Sequence, residues 1–196
     1  MKTRLTRTTS IRATVAVAAS MVVGAAVLVP GLAGADTTTP PAGAKVDTVF
    51  IKDGKAGLRF VAPATVDQGD QLQVLNTTNP KQVGPHTFSL VTKSLIPKTK
   101  KARQLCFTKG HICKSIAAWH GVKGNGPPTI NPVEVGAEGW DTMGSLTAKG
   151  DSWFTGPKPS ASIVQQVTAA AGTTITFMCA IHPWMHGSIT VLPAGS

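Results

Sequence analysis

Apolar and polar positions divide the chain into three regimes. A largely apolar run covers residues 13–29, behind a basic start at Lys2, Arg4, Arg7 and Arg12. From Val46 the pattern changes to short alternating runs. These fall at residues 46–50, 58–61, 87–91, 163–167, 172–177 and 187–192. A further pair, Leu72 and Val74, follows the turn signal Asp67-Gln68-Gly69-Asp70. The runs are rich in β-branched and aromatic residues, and Gly, Pro and Asp punctuate them. This rhythm predicts an all-β sandwich. Residues 93–159 do not share it and read as a long, loop-rich insertion, with one or two helical turns over residues 115–119.

The apolar run ends at Pro30 and is followed by Ala33-Gly34-Ala35. A basic start, an apolar middle and a small-x-small end are the three parts of a secretory signal peptide. Cleavage after Ala35 is expected. Retention as a membrane anchor is the alternative, with a run near the lower length limit for spanning. Residues 36–45 read as a flexible leader and residues 46–196 as one domain. The expected location is outside the cytoplasm: periplasmic, cell-surface or extracellular.

Charge changes meaning once it is located. The chain of 196 residues has 19 Lys+Arg and 9 Asp+Glu, for a net charge of +10. Loss of residues 1–35 takes four basic residues and no acid, which lowers +10 to +6. Nine basic residues and no acid lie between Gln71 and Val133. With no Tyr and only ten Phe and Trp, a stacking platform for nucleic acid is not indicated. The basic stretch instead suggests steering of an acidic protein partner, or peripheral rest on an anionic cell surface.

The three cysteines fall in two places. Cys106 and Cys113 close a short loop, and a disulfide is the expected state in an exported protein. A second metal site using these two with His111 and His120 is the alternative, although the spacing is not a familiar zinc spacing. Cys179 begins the densest chemistry in the chain: Cys179-Ala180-Ile181-His182-Pro183-Trp184-Met185. A thiolate, an imidazole and a thioether, joined by a second imidazole, form the His₂Cys site with a weak axial Met that favours copper. Gly84-Pro85-His86-Thr87-Phe88 offers that second His at the start of a strand.

These residues resemble the blue (type 1) copper proteins of the cupredoxin family. An early His before a strand, then Cys, His and Met in one late loop, is that family's order. The two-residue gaps look most like the ligand loop of amicyanin; the plastocyanin loop is longer between His and Met. The resemblance implies a Greek-key sandwich and one copper ion held by His86, Cys179, His182 and Met185. It implies an electron carrier without substrate turnover, acting as a monomer between redox proteins. It also implies an electron-transfer rim of Pro85, Pro183 and Trp184 around His182. A non-redox copper-delivery protein, or an accessory interaction domain, is the rival reading. Thr87 is present, but Ala180 lacks the hydroxyl that often answers it in the family, so Asn76 is expected to hold the loop instead. The Ile181 N–H is expected to donate to the Cys179 sulfur. His186 is expected to point away from the metal.

Overall fold

The computed structural model describes residues 43–124, 129–136 and 139–196. The expected signal segment and nearly all of the leader lie outside the described residues. The first strand, β1 (Val46–Lys52), begins at the expected domain start. It pairs antiparallel with β2 (Arg59–Val61) and parallel with β4 (Gln71–Asn76), and β8 (Ser162–Gln166) lines up antiparallel on the far side of β4. In β4 the alternation is plain: Leu72 and Val74 are buried while Gln71 and Gln73 are half-buried. One face of this four-stranded sheet therefore packs on the core.

The second sheet has six strands in the order β3, β10, β9, β5, β7, β6. They are β3 (Thr65–Asp67), β10 (His186–Leu192), β9 (Thr174–Met178), β5 (Thr87–Leu90), β7 (Ser152–Phe154) and β6 (Glu134–Val135). Two sheets facing one another over a shared core make an all-β sandwich, as the alternation predicts.

The core is set by aromatic rings. Phe60 meets Phe88 and Phe177 edge-on, with ring centroids 5.8 and 5.2 Å apart. Trp140 meets Phe88 at 5.1 Å, and its indole N–H donates to the Leu72 carbonyl at 3.2 Å. Gly187 sits opposite Phe177 in the β9–β10 ladder, and a Cβ there would lie 2.7 Å from the ring. The ring thus requires a residue without a side chain beside it. Phe177→Ala is expected to lower stability by about 3–5 kcal/mol, the usual cost of removing a fully buried ring. Chemical denaturation checks this; a loss under about 1 kcal/mol would show that the core closes over the gap.

The insertion differs from its expectation. It is not loop-rich throughout. It holds α2 (Lys100–Leu105), α3 (Ile112–Trp119) and the strands β6 and β7. In α3, Ile112, Cys113, Ile116 and Trp119 are buried, one stripe of an amphipathic helix. Thr99 caps α2 by accepting from the Ala102 N–H at 3.1 Å. The Cys106–Cys113 disulfide joins the two helices. A second hydrophobic cluster forms around them from Val91, Ile96, Ile116, Met178 and Ala180. The insertion thereby packs against the back of the strand that delivers Cys179. Strand β7 escapes sequence reading because its three residues are too few to show alternation.

Candidate metal centre

The short helix α1 (Pro80–Val83) ends at Gly84, whose φ of 78° suits glycine and turns the chain toward Pro85. His86 then enters just before β5. Its N–H donates to the Thr155 hydroxyl at 2.9 Å and its carbonyl accepts the Thr155 N–H at 3.0 Å. The side chain is fully buried.

A chain of polar contacts sets the ring. The Thr78 hydroxyl donates to Asn76 Oδ1 at 2.8 Å, and the Thr78 N–H donates to the same oxygen at 3.0 Å. Thr78 Oγ1 lies 3.1 Å from His86 Nε2. The hydroxyl proton is committed to Asn76, so Nε2 carries the hydrogen and donates. His86 Nδ1 keeps its lone pair for the site, as a metal-binding imidazole needs. Contrary to expectation, Asn76 does not replace the Thr87 coupling in holding the metal loop; it accepts from Thr78, which sets His86. Sequence reading missed Thr78, because nothing in the spacing of a lone Thr ties it to His86; Asn76 and Thr78 are both buried.

Cys179 follows β9, and β10 begins after Met185. Between them the loop folds on itself. The Met185 N–H donates to the His182 carbonyl at 2.8 Å, and the Cys179 N–H donates to the Met185 carbonyl at 2.9 Å. This brings His86, Cys179 and His182 together, with their ligand atoms all within 4.8 Å of one another. His182 Nδ1 lies 3.1 Å from His86 Nδ1 and 3.8 Å from Cys179 Sγ. A trigonal site with bonds of about 2.05 Å to nitrogen and about 2.3 Å to sulfur spaces its donors by about 3.5 Å (N–N) and about 3.8 Å (N–S). The three donors fit a single ion. Met185, in the same loop, is buried.

Two hydrogen-bond expectations change. The donors to Cys179 Sγ are the Thr87 and His182 N–H groups, each at 3.4 Å. The Ile181 N–H adds a weaker pull in the same direction. The tight loop turns His182 back on the sulfur, so its N–H joins the expected Ile181 N–H and is the closer donor. The Thr87 coupling is also present despite Ala180, because the Ala180 backbone N–H donates to Thr87 Oγ1 at 2.8 Å. A backbone group does what the missing side-chain hydroxyl cannot.

Burial pushes the Cys179 thiol pKa up, and the N–H groups of Thr87, His182 and Ile181 oppose the rise. Burial, and then the charge of His182, lower His86 from 6.5 to about 4. Burial lowers His182 as well, while the Val83 carbonyl works the other way. At neutral pH both imidazoles are therefore neutral donors, and the thiol must give up a proton to act as a ligand.

Among the expected rim residues, Pro85 is half-buried and Trp184 is 46 % exposed, its ring 5.1 Å from that of His182. Pro183 is buried and adds nothing to an exposed rim, since the loop folds it inward. His186 is exposed, as expected. The alternative metal site in the insertion does not form. Cys106 and Cys113 are bonded to each other, and His120 is tied to Pro132 and Ser152.

No known family model matches the sequence, and no curated protein matches it. Among solved structures, the chain is similar to sodium dithionite-reduced auracyanin from the photosynthetic bacterium Roseiflexus castenholzii. The identity is 17 %, with 77 % of this chain and 100 % of that chain covered and a TM-score of 0.39.

Proposed function

We propose that the protein is an exported, monomeric, mononuclear copper protein that carries single electrons between redox partners. The observation that carries this reading is the convergence of His86, Cys179 and His182 at one buried point. Met185 is the proposed axial ligand. Copper, when bound, supplies a one-electron couple suited to a thiolate, two imidazoles and a thioether. The chain's own residues do the rest. Asn76 and Thr78 orient His86, and Thr87 and His182 donate to the sulfur. The surrounding core keeps water out. Half-buried His182 and the exposed Trp184 beside it form the edge through which an electron passes. All this describes a carrier without substrate turnover. The disulfide fits an oxidising compartment, in keeping with export. No helix among the described residues is long and apolar enough to cross a membrane.

The test is spectroscopic. Copper-loaded oxidised protein should show intense visible thiolate-to-copper absorption and the narrow hyperfine splitting of a thiolate site in its EPR spectrum. A colourless copper complex would overturn the reading. Rapid reduction and reoxidation by protein partners then separates a carrier from a delivery protein.

The basic insertion supports the docking part of the proposal. Burial, and then the charges of Arg103 and Lys98, lower the pKa of the exposed His186, so both cations act electrostatically on the residue that follows Met185. These two cations are the proposed steering charges. The rate of reduction by an anionic reductant such as ascorbate is expected to fall as salt is raised. Charge reversal at Lys98 and Arg103 should flatten that dependence. A rate insensitive to ionic strength in the unmodified protein would count against steering.

A further inference from the structure

A row of buried hydroxyls runs from the metal loop into the insertion, and its hydrogens can be counted. Ser89 on β5 pairs with Ser152 on β7. The Ser89 hydroxyl donates to Thr87 Oγ1 at 3.0 Å. Its oxygen lies 2.6 Å from that of Ser152. The Ser89 proton is committed to Thr87, so Ser152 must supply the hydrogen of this contact. Ser152 then has none left for His120, whose Nε2 lies 2.8 Å from the Ser152 oxygen. Nε2 must therefore carry a hydrogen and donate it. His120 Nδ1 lies 2.8 Å from the Pro132 carbonyl, which only accepts. Every contact of the row keeps its hydrogen only when both ring nitrogens donate, which is the imidazolium form. A neutral ring leaves one contact of a buried row without its hydrogen, at the cost of an unpaired buried polar group.

The far end of the row is the sulfur. The Thr87 N–H donates to Cys179 Sγ, and the Thr87 hydroxyl also lowers the thiol pKa. His120 is thus linked through the Ser152, Ser89 and Thr87 hydroxyls to the residue whose backbone N–H donates to Cys179 Sγ. Among the described residues, the groups around the ring add no anion. Ser152 and Phe154 of β7 and the Pro132 carbonyl face it, Lys149 acts on it as a like charge, and Lys114 of α3 lines the same cavity. Burial and Lys149 favour the neutral ring, while the Pro132 carbonyl favours the charged one. The ring is 2 % exposed, yet it borders a cavity of about 490 Å³ lined by Thr87, Phe154, Lys114 and Ile181. That cavity gives water a route to it.

We propose that His120 is a positioning residue of the redox site: it takes up a proton when the metal loop takes up an electron, and acts on Cys179 through Ser152, Ser89 and Thr87. The electron comes from the donor protein and the proton from solvent through the cavity. Both leave on oxidation. This rests on the copper reading above. The added electron raises negative charge at the thiolate, and the row transmits that charge to the ring as a higher proton affinity.

The experiment has two arms. In copper-loaded protein, the midpoint potential is measured against pH. It is expected to fall as pH rises, between two plateaus, by 59 mV for each tenfold difference in His120 proton affinity between the redox states. Ser152→Ala and His120→Gln should each keep the visible band and abolish the step. A step that persists in both variants belongs to the ligand histidines and overturns the proposal, as does a flat potential in the unmodified protein. In metal-free protein, nitrogen NMR at about pH 6 should show two ring N–H groups on His120, and one in Ser152→Ala. A single ring N–H in the unmodified protein overturns the proposal whatever the metal does. A colourless copper complex overturns the copper reading instead.

Discussion

Cys179→Ser is expected to abolish the intense visible absorption of the copper-loaded protein while leaving the sandwich folded. The sulfur is the sole thiolate at the site, since the other two cysteines are bonded to each other. Charge transfer at visible energies needs a thiolate, and a hydroxyl cannot supply it. The Thr87 and His182 N–H groups that face the sulfur would then face a hydroxyl oxygen, so the fold keeps partners for both. Circular dichroism should be little changed. Copper affinity should drop by orders of magnitude, because a soft anionic donor becomes a hard neutral one. If the band survives, copper is bound elsewhere, and the convergence of His86, Cys179 and His182 has another purpose.

The second large effect concerns acid. Metal-free protein is expected to lose stability as pH falls from about 6.5 to about 4. The unfolded chain takes up a proton on His86 near 6.5, whereas the folded chain resists until about 4. In that window the unfolded state binds more protons, so stability falls as pH falls. Above it both states are neutral at this residue, and below it both are charged, so nothing further changes. At about 1.4 kcal/mol per pH unit the whole effect is up to about 3 kcal/mol. His182 shifts in the same direction. Asp47, Glu134 and Asp151, whose pKa values burial raises, act in the opposite sense. The difference between the unmodified protein and His86→Gln therefore isolates the term. Urea midpoints at neutral pH and near pH 4.5 measure it. Equal acid sensitivity in the two proteins would remove His86 as its source.

Sequence reading brought out the His86, Cys179 and His182 cluster because its late members are compressed. Cys179, His182 and Met185 sit in one short loop, and His86 is marked by the proline before it and the strand after it. Strands with clear alternation, such as β1, β4 and β10, were legible for the same reason. Other features depend on contacts between distant segments. Strand β7 has no pattern of its own and exists because β5 offers it an edge. The Ala180 bond to Thr87 comes from the backbone, which no side-chain motif records. The inward turn of Pro183 follows from how the loop closes, not from its residue type. Helix α3 was only half visible, because its stripe begins at Ile112, directly after His111, where no capping side chain announces it.

The two parts of the site lie far apart along the chain: Thr87, beside His86, and Cys179 are separated by 92 positions. They meet only where β5 pairs with β9 in the middle of the second sheet. Such contacts form late, after the entropy of closing a long loop has been overcome. An unfolded chain therefore offers an ion only the late loop, with one thiol, one imidazole and one thioether and no rigid frame. The complete donor set appears when the sandwich is nearly assembled. Colour development after adding copper should thus follow the refolding of the central strands, with the ion acting as a reporter of the finished fold rather than its nucleus.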